Sequence, residues 1–135
     1  MTSPRLGSVI LDSGAISAIA EGNPRARAVL LRARRGGRLV VIPAPVLAEV
    51  YTGRPEHAHI DRVIVAVDCQ LDTTAERAKQ AGVLRSKSGV VDVVDAIVVA
   101  ETAANLPAVI VTSDRRDIEA LVGAAGLRGI VVVTV

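Results

Sequence analysis

Carboxylates stand inside segments of this chain that are otherwise apolar. Asp12 closes the run Ser8-Val-Ile-Leu-Asp12, and Glu49 interrupts Val46-Leu-Ala-Glu-Val50. Asp95 lies within Val90-Val-Asp-Val-Val-Asp-Ala-Ile-Val-Val99. Asp114 follows Ala108-Val-Ile-Val-Thr-Ser113, with Asp117 one turn later. A carboxylate in apolar surroundings is costly unless something pairs it. Converging carboxylates also repel one another: at roughly 5 Å and an effective dielectric of about 20, each pair costs about 3 kcal/mol. Protonation, arginine or lysine partners, or a divalent cation would relieve that cost. An all-oxygen donor set without cysteine or histidine suits hard ions, Mg²⁺ or Mn²⁺. An ion held there can orient a water, lower its pKa and stabilise charge on a phosphate.

Each acid also has a purely local explanation. Asp12 followed by Ser13 reads as the N-cap of a helix, and Glu49 as a helix residue paired with an arginine. Asp92, one turn before Asp95, is either a fifth ligand or a residue of the helix start, and the second reading is preferred. Asp114 is a second capping candidate, and Asp117 falls in a first helical turn, where the dipole alone favours an acid. Asp95 is hardest to dismiss, since Val93, Val94, Ala96 and Ile97 surround it. Ser13, Thr112 and Ser113 are candidates to hydrogen-bond the acids or a phosphate.

The elements that would position these residues alternate. A strand is expected over residues 6–12, and helices over 13–20 and 24–35. The second helix has Pro24 near its start and Gly36-Gly37 past its end, as helix boundaries prefer. A strand over 38–42 precedes a helix carrying Glu49, broken at Gly53-Arg-Pro55. A further helix and strand lead through 64–71, and a charged helix starts at Thr73 or Thr74 and runs to about Ser86. Residues 91–104 are locally ambiguous: their valines favour a strand, but their length favours a buried helix, which is the expectation taken. A strand over 108–112, a helix over 114–124 and a strand over 130–135 complete the chain. Strands separated by helices imply a three-layer α/β/α fold around a mostly parallel, five-stranded sheet. Ligands of such sheets bind beyond the carboxyl ends of the strands, which is where Asp12 and Asp114 fall.

At 135 residues the chain is expected to form one domain, residues 1–135. Half of its residues are apolar without counting 11 glycines, against a usual figure of about 45–50% that includes glycine. Another chain is therefore expected to cover part of the surface. No apolar run reaches the roughly 18–20 residues of a membrane span, and the N-terminus lacks a signal-peptide pattern. The single cysteine, Cys69, excludes an internal disulfide framework, so a reducing cytoplasm is expected. Cys69 is read as a small core residue, and neither His57 nor His59 stands in a zinc pattern. Six of the 16 basic residues, Arg25, Arg27, Arg32, Arg34, Arg35 and Arg38, crowd into 14 positions, as either a solvated helix face or a phosphate-binding surface. With no Trp or Phe and a single Tyr, stacking of single-stranded bases is judged improbable.

The ordered set Leu11-Asp-Ser-Gly-Ala15, Pro45-Val-Leu-Ala-Glu-Val50, Val93-Val-Asp-Ala96 and Val111-Thr-Ser-Asp-Arg-Arg-Asp117 resembles the PIN-domain family. It looks most like the VapC toxins of bacterial VapB–VapC toxin–antitoxin pairs. The resemblance spans essentially the whole chain; each motif is weak alone and the ordered set is specific. It implies a ribonuclease that inhibits translation, in which Asp12, Glu49, Asp95 and Asp114 are catalytic and Mg²⁺ or Mn²⁺ is the cofactor. Asp12, Asp95 and Asp114 would be the principal metal ligands, joined by Asp117, since the last motif in relatives often reads Thr-x-Asn/Asp-x-x-Asp. Glu49 would bind through water or a second ion. The resemblance also implies an RNA substrate, a homodimer and a VapB-type antitoxin.

Other readings fit less well. A haloacid-dehalogenase-type phosphotransferase needs a second acid two residues after the first, where this chain has Gly14. A receiver domain needs an acidic pair at the first strand and a lysine near the last, and residues 130–135 contain none. No glycine-rich phosphate loop follows the first strand, against a dinucleotide-binding domain. A flap-type nuclease would need an inserted arch that is missing here. A PIN-like binding module without catalysis is the serious alternative.

Overall fold

The computed structural model describes residues 7–135. Leu6, the first residue of the first expected strand, and the segment read for a signal peptide lie outside the described residues, apart from Gly7.

The first half of the fold runs β1 (Ser8–Leu11), α1 (Ser13–Ala20), α2 (Pro24–Arg35), β2 (Leu39–Pro43) and α3 (Ala44–Val50), then α4 (Ala58–Ala66) and β3 (Cys69–Leu71). A short 3₁₀ turn, Pro55–His57, leads into α4. The second half runs α5 (Ala75–Ser88), α6 (Val93–Ala103), β4 (Ala108–Thr112), α7 (Arg115–Ala125) and β5 (Ile130–Thr134). The five strands lie in the order β3-β2-β1-β4-β5. Every pairing is parallel, so the sheet is parallel throughout.

This order has one consequence for function. From β1 the chain winds outward to β2 and β3, then crosses back to lay β4 on the other side of β1. Right-handed crossovers put α1 to α4 on one face and α5 to α7 on the other. Accordingly α1 packs against α2, α3 and α4, whereas α5, α6 and α7 pack against one another. The winding direction reverses between β1 and β4, and their register sets Leu11 beside Val111. The next residues, Asp12 and Thr112, therefore emerge together at the carboxyl edge.

Burial on both faces explains the unbroken apolar strands. All four residues of β1 are buried, as are four of five in β4. The valine-rich segment 91–104 is a helix, α6, with Ala96 to Thr102 buried in succession. Its valines favour strand locally, but Asp92 caps it by accepting the Asp95 amide at 2.9 Å. Helix on one side and sheet on the other then bury nearly its whole circumference. The expectation that Cys69 belongs to the core is overturned: its thiol is exposed. It opens β3, a three-residue edge strand with exposed, exposed and half-buried positions, so nothing covers its outer side. Among the described residues no helix is long and apolar enough to cross a membrane.

One buried acid serves the fold. Glu101 in α6 is 5% exposed and meets the Arg77 guanidinium of α5 at 3.4 Å. Burial pushes its carboxyl above the ordinary range, and the Arg77 charge and hydrogen bond oppose that. Arg77→Ala is expected to cost about 2–3 kcal/mol in urea unfolding, because Glu101 would remain buried without a partner. Replacing both by Met is expected to recover most of it.

Candidate metal centre

The carboxyl edge between β1 and β4 is built around Asp12 and Thr112. Asp12 is the N-cap of α1, and its Oδ1 accepts the Ala15 amide at 2.8 Å. The Thr112 hydroxyl, fully buried, donates to Asp12 and accepts the Asp114 amide at 2.9 Å. One hydroxyl thus ties the ends of two adjacent strands together. Asp12 is buried, and burial is the largest influence raising its carboxyl; the Glu49 and Asp114 charges add to it, and the Thr112 and Ala15 hydrogen bonds oppose it.

The other acids arrive on helix N-termini. Asp114 caps α7 and accepts the Asp117 amide at 3.3 Å, and Asp92 caps α6. Asp95 and Asp117 occupy the first turns of the same two helices. Asp95, Asp114 and Asp117 each place a carboxylate oxygen within 4.8 Å of the other two. Oxygens on opposite sides of an octahedral Mg²⁺ at ~2.1 Å stand roughly 4.2 Å apart, so three oxygens within 4.8 Å come near the span of a single hard cation. Three helices, α1, α6 and α7, start at this edge, and their N-terminal dipoles offset part of the negative charge. The offset is incomplete. Asp95 is pushed up to about 7, first by burial and then by the charges of Asp92, Asp12, Asp114 and Glu49.

The expected acids are thus brought together, with a shift in emphasis. Asp117 belongs to the tightest set with Asp95 and Asp114, whereas Asp12 stands just outside it, held by its two donors. Asp92 takes the capping role preferred for it, and its charge still acts on Asp95. Glu49 is exposed on α3 and lines a cleft of about 500 Å³ together with Ser13, Ser113, His57 and His59. The arginines lie elsewhere. Arg25, Arg32 and Arg38 line a groove at the opposite, amino ends of the strands, beside Gly7, Pro107 and Gly129. A strand of four or five residues separates the two ends by roughly 13–17 Å. Arg34 donates to the Ala66 carbonyl at 2.8 Å and Arg27 to that of Ile19 at 3.4 Å, so part of the cluster serves local structure.

Gly14 is a residue that the sequence reading passed over as a contributor to the site. A Cβ added there would collide with Ser113 Oγ and lie 2.6 Å from Ser113 Cβ. Only glycine lets the first turn of α1 approach the β4–α7 junction this closely, and that approach brings Asp12 near Asp114. The sole sequence signal is a glycine within a first helical turn, which many helices tolerate.

A family model described as PIN domain matches residues 9–122. The chain belongs to the PIN-domain family. Its fold is shared with a chain of a toxin–antitoxin complex from Klebsiella pneumoniae at TM-score 0.68 and 19% identity, covering 92% of this chain and 96% of that one. It is shared also with a chain of DNA-bound VapBC from Salmonella typhimurium, at TM-score 0.67, 18% identity and coverage of 94% and 97%. VapC20 of Mycobacterium tuberculosis, described as a sarcin-ricin loop cleaving toxin, gives TM-score 0.58, 19% identity and coverage of 90% and 98%. No curated protein matches the sequence. At these identities the structural likeness concerns the fold of this PIN domain.

The raised Asp95 carboxyl makes stability depend on pH. Its folded value of about 7 lies above the ordinary 3.8, so the fold favours the protonated form. The resulting stabilisation is complete below about pH 4, is lost as pH rises through 7, and leaves a penalty above that. In EDTA, the melting temperature is expected to fall between pH 5 and 8. Asp95→Asn should flatten that slope and melt higher at pH 8, by about 3–4 °C for each kcal/mol relieved. Gly14→Ala is expected to lower stability by about 1–3 kcal/mol and to weaken Mn²⁺ binding measured by calorimetry.

Proposed function

We propose that this PIN domain is a metal-dependent endoribonuclease and the toxin of a VapB–VapC-type pair, acting on RNA phosphodiester bonds and so inhibiting translation. The observation that carries the reading is the convergence of Asp95, Asp114 and Asp117 within 4.8 Å at the switch point of a parallel sheet. A protein gains nothing in stability from assembling such charges, so the cost points to a ligand that needs them. The donor set is all carboxylate, which fits Mg²⁺ or Mn²⁺. Asp95, Asp114 and Asp117, with Asp12 beside them, would hold the ion. When bound, it would supply an activated water and stabilise charge on the phosphate.

The chain's own residues would do the rest. Glu49, exposed at the rim, would orient the attacking water. Ser13 and Ser113 offer hydroxyls to a phosphate oxygen, and Thr112 keeps Asp12 and the Asp114 backbone aligned. Arg25, Arg27, Arg32, Arg34, Arg35 and Arg38 would meet RNA phosphates away from the cut, since a cationic helix face attracts the backbone without reading bases. A VapB-type antitoxin and a second copy of the chain are the proposed protein partners. Apolar side chains left more than half exposed, such as Val65, Val91 and Val131, supply surface for them. In keeping with this reading, the Klebsiella and Salmonella structures that share the fold are toxin–antitoxin assemblies.

The test is incubation of antitoxin-free protein with total bacterial RNA in Mg²⁺, Mn²⁺ or EDTA. Discrete fragments are expected with either metal and none with EDTA. Asp95→Asn should reduce cleavage at least 100-fold while the circular dichroism spectrum is kept. Undiminished cleavage by that variant would sink the assignment, and no cleavage by the folded parent would favour a binding module.

A further inference from the structure

The arginines of α5 and α7 hold the fold together, with one exception beside the carboxylates. Arg77 of α5 meets Glu101 and the Gln80 side chain. Arg85 of the same helix donates to the Val91 carbonyl at 3.0 Å. Arg115 of α7 pairs with Glu119 at 2.8 Å and reaches the Thr134 hydroxyl at 3.5 Å. Arg116, the next residue, is exposed. Among the described residues its side chain has no carboxylate within 4.0 Å and makes no hydrogen bond.

Arg116 lies in a cleft of about 590 Å³ between α7 and the turn that joins α5 to α6. Ser88 to Asp92 form one wall, and Arg116, Asp117 and Ala120 the other. The turn is fixed by its own bonds: Arg85 holds the Val91 carbonyl, and Ser88 Oγ accepts the Val90 amide at 3.1 Å. The cleft borders the metal centre directly, because Asp117 shares one cation-sized space with Asp95 and Asp114. Asp92, on the facing wall, caps the helix that carries Asp95. Arg116 nevertheless pairs with neither acid. Consecutive helical residues project about 100° apart, so Arg116 flanks the carboxylate cluster without entering it. Its guanidinium is left free for an anion from outside.

We propose that Arg116 binds the backbone phosphate next to the scissile one, and that the RNA passes through the cleft between α7 and the 88–92 turn. The proposal rests on the ribonuclease reading above and adds a substrate-binding residue to it. RNA brought to the carboxylates sets phosphates beside Asp92 and Asp117, where like charge repels them. At the bond being cut a metal would offset that repulsion; one nucleotide away the protein must do so. Arg25, Arg32 and Arg38 cannot, since they line the groove at the other end of the strands, roughly 13–17 Å off. Arg116 is the cation in place. A guanidinium suits the task, because it stays charged and presents paired donors to phosphate oxygens. A phosphate contact fixes the position of the backbone and reads no base.

The experiment measures binding and cleavage separately. Fluorescence anisotropy would follow a mixed-sequence RNA oligonucleotide on Asp95→Asn protein in Mg²⁺ over a series of KCl concentrations. Adding Arg116→Gln is expected to weaken binding about tenfold. It should also make the slope of log affinity against log salt shallower by about 0.7, the share of one phosphate on a single strand. Arg116→Lys, which keeps the charge, should keep the slope. Arg115→Gln removes the same charge from the same helical turn, but from an arginine already paired, and should leave affinity and slope nearly unchanged. In protein with Asp95 intact, Arg116→Gln should raise KM for RNA cleavage in Mn²⁺ with kcat nearly kept. An unchanged slope with Arg116→Gln would overturn the proposal. Equal losses from Arg115→Gln and Arg116→Gln would overturn it too, by showing a general effect of charge. A parent that binds RNA but cuts none would overturn the ribonuclease reading instead, and the salt slope would still decide Arg116. A parent that binds no RNA would overturn both.

Discussion

Mutual repulsion among carboxylates at the junction of β1 and β4 is the constraint around which this PIN domain is arranged. Asp12, Asp95, Asp114 and Asp117 would separate freely in an unfolded chain. In the fold they are held at one sheet edge, and the Asp95 carboxyl stands near neutrality, pushed up first by burial and then by its neighbours' charges. Holding them there takes a scaffold stable enough to absorb the cost. The parallel sheet supplies it, with β1 and β4 buried at the centre of five strands and helices packed on both faces.

Three local devices make the arrangement tolerable. The starts of α1, α6 and α7 meet at this edge, so backbone amides and helix dipoles face the acids. Each helix is capped by one of those acids: Asp12, Asp92 and Asp114. A capping role therefore does not exclude a ligand role. An N-cap aspartate uses one lone-pair direction for an amide and keeps others for a cation. The buried Thr112 hydroxyl joins Asp12 to the Asp114 backbone, and Gly14 allows the two strand ends to approach. Glu101, the other deeply buried acid, is paired with Arg77 instead, which marks it as structural.

Charge and ring chemistry are segregated around this centre. Arg25, Arg32 and Arg38 line a groove at the amino ends of the strands, whereas His57 and His59 share a cleft with Glu49 and Ser113. Positive charge placed directly against the acids would neutralise them without a metal. Set roughly 13–17 Å away, it can attract a polyanion and leave the acids available.

The sequence alone determined the element order, because strand and helix signals are local: apolar runs, caps, and glycine or proline at the boundaries. It also singled out Asp12, Glu49, Asp95, Asp114 and Asp117, since an acid in an apolar segment is conspicuous without knowledge of its neighbours. Even the valine-rich α6 was legible from its length. Tertiary structure alone decided which carboxylates share a cation-sized space, that Cys69 lies on an uncovered edge strand, and that Gly14 must lack a side chain. It also set His57 and His59 in a cleft with Glu49 and carried Arg25, Arg32 and Arg38 to the opposite end of the strands. These features depend on strand order and register, which bring residues about 100 positions apart into contact. Local periodicity carries no information about which strands become neighbours, whereas the packing of both sheet faces does.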